Sequence, residues 1–357
     1  MLVTYPREMR AVQFESFGGT IEVVDLPDPA PDPDGVVIAV ASTGLCRSDW
    51  HGWQGHDPDI STLPHVPGHE LAGTIVALGS QVQDFAIGDE VTVPFVCGCG
   101  TCEQCSRGDA QVCPRQWQPG FSGPGSFADF VAIPRADFNL VSLPAAVSTD
   151  VAASLGCRFA TAYRAVTKVG KVQVGDWVVV FGCGGVGLSI VMIAVERGAR
   201  VVAVDTSPDA LRLAMALGAH AVVQADGVVD VVAMVREQNP GGVDISFDAL
   251  GSIDTCRMAV GCLRPRGRHI QVGLLPPVEV DDRATVPMHR VIGLELEILG
   301  SHGMAARDYP EMLELIADHR LDPMRLVTRT IGLEEVPNAL ASMGTVPHAG
   351  VTLIRPG

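Results

Sequence analysis

Four cysteines lie close together in one short segment, in a C-x2-C-x2-C-x7-C pattern formed by Cys99, Cys102, Cys105 and Cys113. Thiolates at this spacing can converge on a single tetrahedral ion, and Zn²⁺ is the usual ion in such sites. The segment is rich in Gly and polar residues, so it is not a hydrophobic core segment. Four thiolates leave no position for water or substrate, so the pattern predicts a structural zinc site. A disulfide pair or a redox switch is the alternative, and Cys97 is a spare thiol that could compete for the metal.

Three further residues of ligand type lie outside this segment: Cys46 in GLCRSDWH, His69 in PGHELAG and Cys157 in SLGCRFATAYRA. Taken singly, a small thiol is ordinary core, and an isolated histidine is more often a hydrogen-bonded side chain than a ligand. Together they form a Cys2His set, which leaves one tetrahedral position for water or an alcohol oxygen. Zinc in such a site lowers the pKa of a bound hydroxyl or polarises a carbonyl. Their spacing along the chain does not by itself prove that they converge.

A glycine-rich turn, GCGGVG, follows an apolar strand-like segment and opens a helical one. Gly182 permits a tight turn, Gly184 lets the backbone approach a pyrophosphate, and Gly187 lets helix and strand pack closely. Asp205 closes the next strand, at the spacing typical of the acid that binds an adenine-ribose diol. A carboxylate there repels a 2′-phosphate, and Thr206, Ser207 and Pro208 supply no cation to attract one. The pattern therefore predicts NAD(H) rather than NADP(H); the alternative is a glycine-rich turn in an unrelated α/β protein.

The elements that must position these residues fall into two parts of the chain with different sequence patterns. The first 150 residues are rich in Pro, Gly and short β-branched runs, which predict an all-β-leaning domain with strands at 36–43, 71–79 and 90–95. From about residue 174, strands alternate with helices, which predicts a parallel sheet covered on both faces. The clearest elements of this part are strands at 177–181 and 200–205, a helix at 208–217 and a later helix at 308–319.

Composition bounds the class of protein. The chain has 357 residues, 47% of them hydrophobic, which suggests two domains with well-formed cores. A formal net charge of −16 argues against nucleic acid or an anionic membrane as a partner. No apolar run is long enough to span a membrane, and the charged first residues do not resemble a secretion signal, so we expect a cytoplasmic protein. Ten cysteines with a metal-type spacing fit reduced thiols there.

The order of these motifs resembles the zinc-containing medium-chain alcohol dehydrogenases over nearly the whole chain. The resemblance implies a GroES-like, mostly-β catalytic domain at 1–158, completed by 302–357, with a Rossmann NAD-binding domain at 159–301 inserted between its two parts. The overall class is therefore α/β with a doubly wound parallel sheet. It also implies two zinc ions per subunit and a homodimer or homotetramer built largely through the Rossmann domains.

The resemblance also assigns roles to individual residues. Cys46, His69 and Cys157 correspond to the catalytic zinc ligands. Ser48 corresponds to the hydroxyl that accepts the substrate proton, and His51 to the end of the relay that delivers it to solvent.

Five neighbouring residues complete this assignment. Asp49 and Glu70 correspond to acids beside the ligands, which fix the tautomer and basicity of a ligand histidine. Arg47 corresponds to a contact with the cofactor pyrophosphate. Trp53 and Phe95 fall where family members line the substrate pocket. Without the resemblance, the charged residues would be taken as ordinary surface charge and the aromatic ones as core.

Two departures from the family pattern bear on function. Val351 occupies the place where many members have an arginine that holds the pyrophosphate. Cys157 stands where the polyol dehydrogenases of the family tend to use a carboxylate, which favours simple alcohols. We therefore expect an NAD-dependent zinc alcohol dehydrogenase that interconverts alcohols with aldehydes or ketones.

Alternatives remain within and outside this class. A polyol, threonine or formaldehyde dehydrogenase belongs to the same superfamily, whereas a zinc-free quinone or enoyl reductase is disfavoured because every metal ligand is present. A non-catalytic zinc- and nucleotide-binding redox sensor would use other thiols, namely Cys97, Cys183, Cys256 or Cys262. The pair Ser48 and His51 argues against a sensor, which has no use for proton delivery.

Overall fold

The structure is a computed structural model that describes residues 8–275, 286–345 and 349–357. Within these ranges the strands are β1 Glu8–Phe14, β2 Ile21–Pro27, β3 Val36–Leu45, β4 Leu71–Leu78, β5 Glu90–Thr92, β6 Phe130–Ile133, β7 Val141–Ser142, β8 Trp177–Phe181, β9 Arg200–Asp205, β10 Ala221–Gln224, β11 Val243–Asp248, β12 Leu263–Gln271, β13 Glu297–Gly300, β14 Val327–Gly332 and β15 Val351–Arg355.

The α-helices of the same ranges are α1 Arg47–Trp53, α2 Glu103–Arg107, α3 Ala136–Asn139, α4 Thr149–Ala153, α5 Ala160–Arg164, α6 Gly185–Glu196, α7 Pro208–Ala216, α8 Val231–Gln238, α9 Ile253–Cys262, α10 Met288–Gly293, α11 Tyr309–Ala317 and α12 Val336–Ser342. Two π-helical turns flank α5, at Leu155–Phe159 and Ala165–Val169. Short 3-10 turns lie at Ala110–Val112, Ala306–Asp308, Pro323–Leu326 and Leu333–Glu335.

The chain divides into two compact units, one formed by Met1–Ala160 with Gly303–Gly357 and the other by Thr161–His302. The first unit is mostly β. Its larger sheet has the order β14-β15-β3-β4-β5-β7, with β6 paired to β3, and a β1-β2 hairpin lies apart. All these pairings are antiparallel except that between β14 and β15. The inward-facing side chains of β3, β4 and β6 form one core of this unit.

The second unit is a parallel sheet of order β10-β9-β8-β11-β12-β13 with helices between its strands. This is the strand order of two linked βαβαβ halves, the doubly wound Rossmann arrangement. Strand β8 is apolar almost throughout because both faces of a parallel sheet are covered. The predicted α/β class with a doubly wound sheet and a mostly-β partner unit is confirmed.

Most strand predictions match the structure closely, and β8 and β9 match at both ends. One differs: the segment predicted as a strand over 90–95 ends as β5 at Thr92. Pro94 has no N–H to donate to a sheet ladder, so it cannot continue the strand. The next N–H, that of Phe95, instead donates to the carbonyl of Gly156 at 3.2 Å, beside Cys157.

Among the described residues, no helix combines the length and the apolar character needed to cross a membrane.

Candidate functional site

Cys46, His69 and Cys157 converge in the first unit. Cys46 directly follows β3 and His69 precedes β4 by one residue; because these strands are antiparallel neighbours, with Thr43 opposite Leu71, the two segments meet. Cys157 is carried by the π-helical turn that precedes α5. The ligand atoms of the three residues, together with a carboxylate oxygen of Glu70, all lie within 4.8 Å of one another.

The orientation of His69 fits a metal ligand. Its Nδ1 lies 2.9 Å from Asp49 Oδ1, and because a carboxylate only accepts, Nδ1 carries the proton. Nε2 is buried and has no hydrogen-bond partner, although buried polar atoms are almost always paired. A buried imidazole nitrogen without a hydrogen-bond partner beside two thiols is a donor set that zinc takes.

Asp49 also organises the segments that bear the ligands. Its carboxylate accepts from the backbone N–H of Cys46 at 2.9 Å and from that of Gly68 at 3.2 Å. The same side chain therefore holds the start of helix α1, the first ligand and the histidine, and it is itself almost completely buried.

The two thiols of this cluster differ in acidity. Hydrogen bonding from Cys157 lowers the pKa of Cys46 well below its ordinary value against the opposing effect of burial, and the nearby charges of Arg158 and His69 lower it further. The hydrogen bond to Cys46 and burial raise the pKa of Cys157. Burial lowers the pKa of His69, but Asp49 and Cys46 together outweigh it, so the net shift is upward. Metal binding would therefore displace protons from this cluster.

Glu70 is paired with a residue that the sequence reasoning missed. Arg158 donates to both of its carboxylate oxygens, from Nε at 3.0 Å and from Nη2. Arg158 is 7% exposed and Glu70 is fully buried, so this is an interior ion pair. The sequence held a signal, since Arg158 directly follows Cys157, but a cation beside a ligand is ordinarily surface charge.

Aromatic rings flank His69. Phe95, predicted to line the pocket, has its ring centroid 6.1 Å from that of the histidine. Phe121, which was not predicted, is closer, at 5.2 Å. Trp53, also predicted to line the pocket, is buried in a core cluster that includes Phe14, and its indole N–H donates to the Gly19 carbonyl at 3.0 Å.

The two residues predicted to form the proton relay lie on or beside helix α1. Ser48 Oγ is 3.7 Å from Cys46 Sγ. His51 is half-buried, and its Nδ1 lies 3.0 Å from Nδ1 of His56, a neighbour that was not predicted. Burial, and then the charges of Arg47 and His56, lower the pKa of His51 below its ordinary value. At neutral pH its imidazole is therefore uncharged and able to accept a proton.

Arg47 and Val351 are the two positions that the family resemblance relates to the cofactor pyrophosphate. Arg47 is exposed, donates to the Met343 carbonyl, and its guanidinium lies 4.4 Å from the centre of the Trp50 ring. Val351 is a buried residue of β15 and presents no cation.

The four cysteines of the predicted structural zinc site also lie close together. The sulfur atoms of Cys99, Cys102, Cys105 and Cys113 lie within 4.8 Å of one another. Backbone N–H groups point at them, including that of Cys105 at 3.4 Å from Cys102 Sγ, where Cys102 caps α2. A backbone hydrogen bond at Thr101 lowers the pKa of Cys99 to about 5. Burial raises the pKa of Cys105 to about 12, so it is the convergence of the four sulfur atoms, and not a shared acidity, that fits a closed zinc site.

Cys97 does not belong to that cluster. It is fully buried in the β3-β4 core, and burial raises the pKa of its thiol to about 12. A thiol that stays protonated inside a core is a poor competitor for a metal, because the thiolate is the ligand.

The glycine turn of the second unit joins β8 to α6. A Cβ on Gly187 would lie 1.7 Å from the Gly182 carbonyl oxygen, so only glycine fits this close approach. At Gly184 a Cβ would meet nothing within 4 Å, so open space lies beside the backbone that begins the helix. Asp205 ends β9 and accepts from the N–H of Cys183 at 2.6 Å and of Ser207 at 2.8 Å. Helix N–H groups and an acid at this position suit a dinucleotide.

Known proteins of similar sequence and fold indicate the class of protein to which the chain belongs. Residues 32–145 match the model of the alcohol dehydrogenase GroES-like domain, and residues 185–318 match that of the zinc-binding dehydrogenase domain. A Mycobacterium tuberculosis protein named as a probable zinc-binding alcohol dehydrogenase is 35% identical, over 94% of this chain and 85% of its own length. A sorbitol dehydrogenase of Halalkalibacterium halodurans is 32% identical, over 89% of this chain and 90% of its own.

A solved structure of similar fold extends the comparison. It is that of a Sinorhizobium meliloti protein described as a zinc-binding dehydrogenase, determined with NADP bound. The TM-score is 0.88 at 28% identity, covering 98% of this chain and 100% of the other. The chain belongs to the zinc-containing alcohol dehydrogenase family of the medium-chain dehydrogenase/reductase superfamily. The family resemblance predicted from the motifs is thereby confirmed, and the protein is an oxidoreductase of the alcohol dehydrogenase type.

Proposed function

We propose that the protein is an NAD-dependent zinc alcohol dehydrogenase that interconverts alcohols with aldehydes or ketones. The observation that carries the proposal is the unpartnered Nε2 of His69, which faces the thiols of Cys46 and Cys157 while Asp49 fixes the ring. We further propose that 1–158 with 302–357 is the catalytic domain, that 159–301 binds NAD, and that each subunit holds two zinc ions.

The chain's own residues would divide the chemistry as follows. When bound, zinc would supply a Lewis acid for a hydroxyl or carbonyl oxygen, and NAD⁺ would accept the hydride. Cys46, His69 and Cys157 would hold the metal, and the half-buried Ser48 hydroxyl, 3.7 Å from Cys46 Sγ, would take the alcohol proton. His51, neutral at pH 7, would pass that proton outward.

Substrate and cofactor are assigned on two features. Phe95 and Phe121 place apolar surface beside His69, which favours alcohols with a hydrocarbon part. The carboxylate of Asp205 at the end of β9 would repel a 2′-phosphate, which favours NAD⁺ over NADP⁺. The similarity to a structure determined with NADP makes this preference one to be measured.

The raised pKa values of the other thiols argue against a redox sensor. Burial raises the pKa of Cys256 to about 11 and that of Cys262 to about 12, and it also raises that of Cys183. Buried thiols that remain protonated at pH 7 react slowly with oxidants.

The test is turnover by the purified, zinc-loaded protein on a panel of primary, secondary and aromatic alcohols, with sorbitol, threonine and formaldehyde included. Alcohol-dependent reduction of NAD⁺ supports the proposal. Activity confined to polyols, threonine or formaldehyde would identify the protein as the corresponding alternative dehydrogenase. If no compound of the panel supports reduction of NAD⁺ or NADP⁺, the proposed dehydrogenase function is refuted.

We also propose that the protein is a homodimer or homotetramer associated through its Rossmann unit. Among the described strands, β13 is at the edge of its sheet and pairs with β12 alone. On α10, Met288 is 54% exposed and Ile292 is 76% exposed, which is unusual for large apolar side chains one helical turn apart. Analytical ultracentrifugation should show an assembly that Ile292→Glu dissociates, and a monomeric wild-type protein would contradict the proposal.

A further inference from the structure

One buried guanidinium contacts chain segments that adjoin the proposed catalytic ligands. Arg158 donates from Nη1 to the carbonyl of Leu45, the residue before the first ligand, at 2.9 Å. It binds the carboxylate of Glu70, the residue after the histidine ligand. Arg158 itself comes directly after the third ligand, Cys157. A single side chain therefore ties together the three segments that form the site.

Glu70 is itself a possible metal ligand. One of its carboxylate oxygens lies within 4.8 Å of the ligand atoms of Cys46, His69 and Cys157. Zinc in proteins is bound by Asp and Glu carboxylates as well as by Cys and His. If Glu70 bound the metal, four protein ligands would close the site, and no position would remain for a substrate oxygen. Whether the site is open therefore depends on where this carboxylate is held.

Arg158 satisfies both oxygens of that carboxylate. Its Nε and its backbone N–H each donate to Oε1 at 3.0 Å, and Nη2 donates to Oε2. A planar guanidinium matches a carboxylate in this two-oxygen geometry. Gly44 makes room for the pair, since a Cβ there would lie 2.1 Å from Glu70 Oε2 and 2.8 Å from Arg158 Nη2.

We propose that Arg158 is a positioning residue that holds the Glu70 carboxylate off the metal and so keeps one coordination position open. Without this cation, the interior carboxylate would lose its compensating charge, and the metal would be the nearest positive group. The inference rests on the proposed function in taking Cys46, His69 and Cys157 as ligands. Its test follows metal coordination and does not depend on turnover.

The experiment uses full-length protein with Co²⁺ in the catalytic site and imidazole as a probe for the open position, followed by the visible absorption bands of cobalt. Wild type should bind imidazole with a shift of these bands. Arg158→Met should bind it at least about ten-fold more weakly and show altered bands before imidazole is added, because Glu70 takes the position. Arg158→Met/Glu70→Gln should recover wild-type affinity, since the amide is a poor metal ligand.

Two matched variants keep the test decisive if Arg158→Met does not fold. Arg158→Lys keeps the positive charge. Its affinity for imidazole should be higher than that of Arg158→Met and no higher than that of wild type. Glu70→Gln alone should retain the wild-type bands. Wild-type imidazole affinity in folded Arg158→Met, altered bands in Glu70→Gln, or a weaker affinity in the double variant than in Arg158→Met would each overturn the inference. Wild-type protein that shows the expected cobalt behaviour but oxidises no alcohol would refute the proposed function and leave this inference standing.

Discussion

Replacing Asp49 by asparagine should weaken zinc binding at the Cys46–His69–Cys157 site without unfolding the protein. The Asp49 carboxylate accepts three buried N–H groups, from His69, Cys46 and Gly68. Asparagine keeps one acceptor oxygen, so at least one of these groups would face an amide NH2. A hydrogen bond to a charged group contributes about 1.5–3 kcal/mol. Because 1.4 kcal/mol corresponds to a factor of about ten, the expected loss of zinc affinity is roughly ten- to hundred-fold.

Competition with a chromophoric zinc chelator measures this loss, and the four-cysteine zinc of the same protein is an internal control. Asp57→Asn is the matched control, because Asp57 bears the same charge nearby and accepts only from the N–H of Asp59 among the hydrogen bonds described. It should leave both zinc affinities unchanged. Folded Asp49→Asn protein with zinc affinity within about two-fold of wild type would refute the argument that Asp49 orients the ligand histidine.

Four other substitutions test the remaining assignments. Cys102→Ser should lower the melting temperature or disrupt assembly, because a closed zinc site contributes folding energy, whereas Cys46→Ser should abolish activity in a protein that stays folded by circular dichroism. Asp205→Ala should decrease the ratio of kcat/KM with NAD⁺ to kcat/KM with NADP⁺. Equal use of both cofactors by the wild type would contradict the proposal that Asp205 repels a 2′-phosphate. His51→Gln should slow alcohol oxidation about ten-fold near neutral pH, with partial rescue by imidazole buffer and unchanged zinc content. Because the pKa of His51 is lowered, its imidazole stays neutral below pH 6.5. The wild-type rate of alcohol oxidation should therefore fall only below pH 6.5, and the His51→Gln variant should not show this decrease. Identical pH profiles of wild type and variant would exclude the relay.

The parts of the site that the sequence predicts are those set by local spacing. The four cysteines lie within 15 residues, so few backbone paths can keep their sulfurs apart, and they do cluster. The glycine turn is likewise local, because Gly182 and Gly187 must touch for the helix to pack on its strand.

The parts that sequence reasoning missed depend on contacts between distant segments. Phe121 reaches His69 from a loop about 50 residues later, and nothing in GFSGPG indicates it. Arg158 is adjacent to a ligand in sequence, yet its role arises from Glu70, 88 positions away. The surroundings of Trp53 likewise come from distant segments, since its ring packs in a core cluster with Phe14 and its indole N–H donates to the Gly19 carbonyl.

The separation of the two units has a consequence for inheritance. All seven cysteine and histidine ligand candidates fall between residues 46 and 157, and the turn and acid that would select the nucleotide fall within Thr161–His302. This second unit is one uninterrupted stretch of chain, so a single genetic exchange could replace it whole. Descendants of such an exchange would keep their metal ligands and acquire a different nucleotide preference. Cofactor choice and metal chemistry are thus free to diverge at different rates within one lineage.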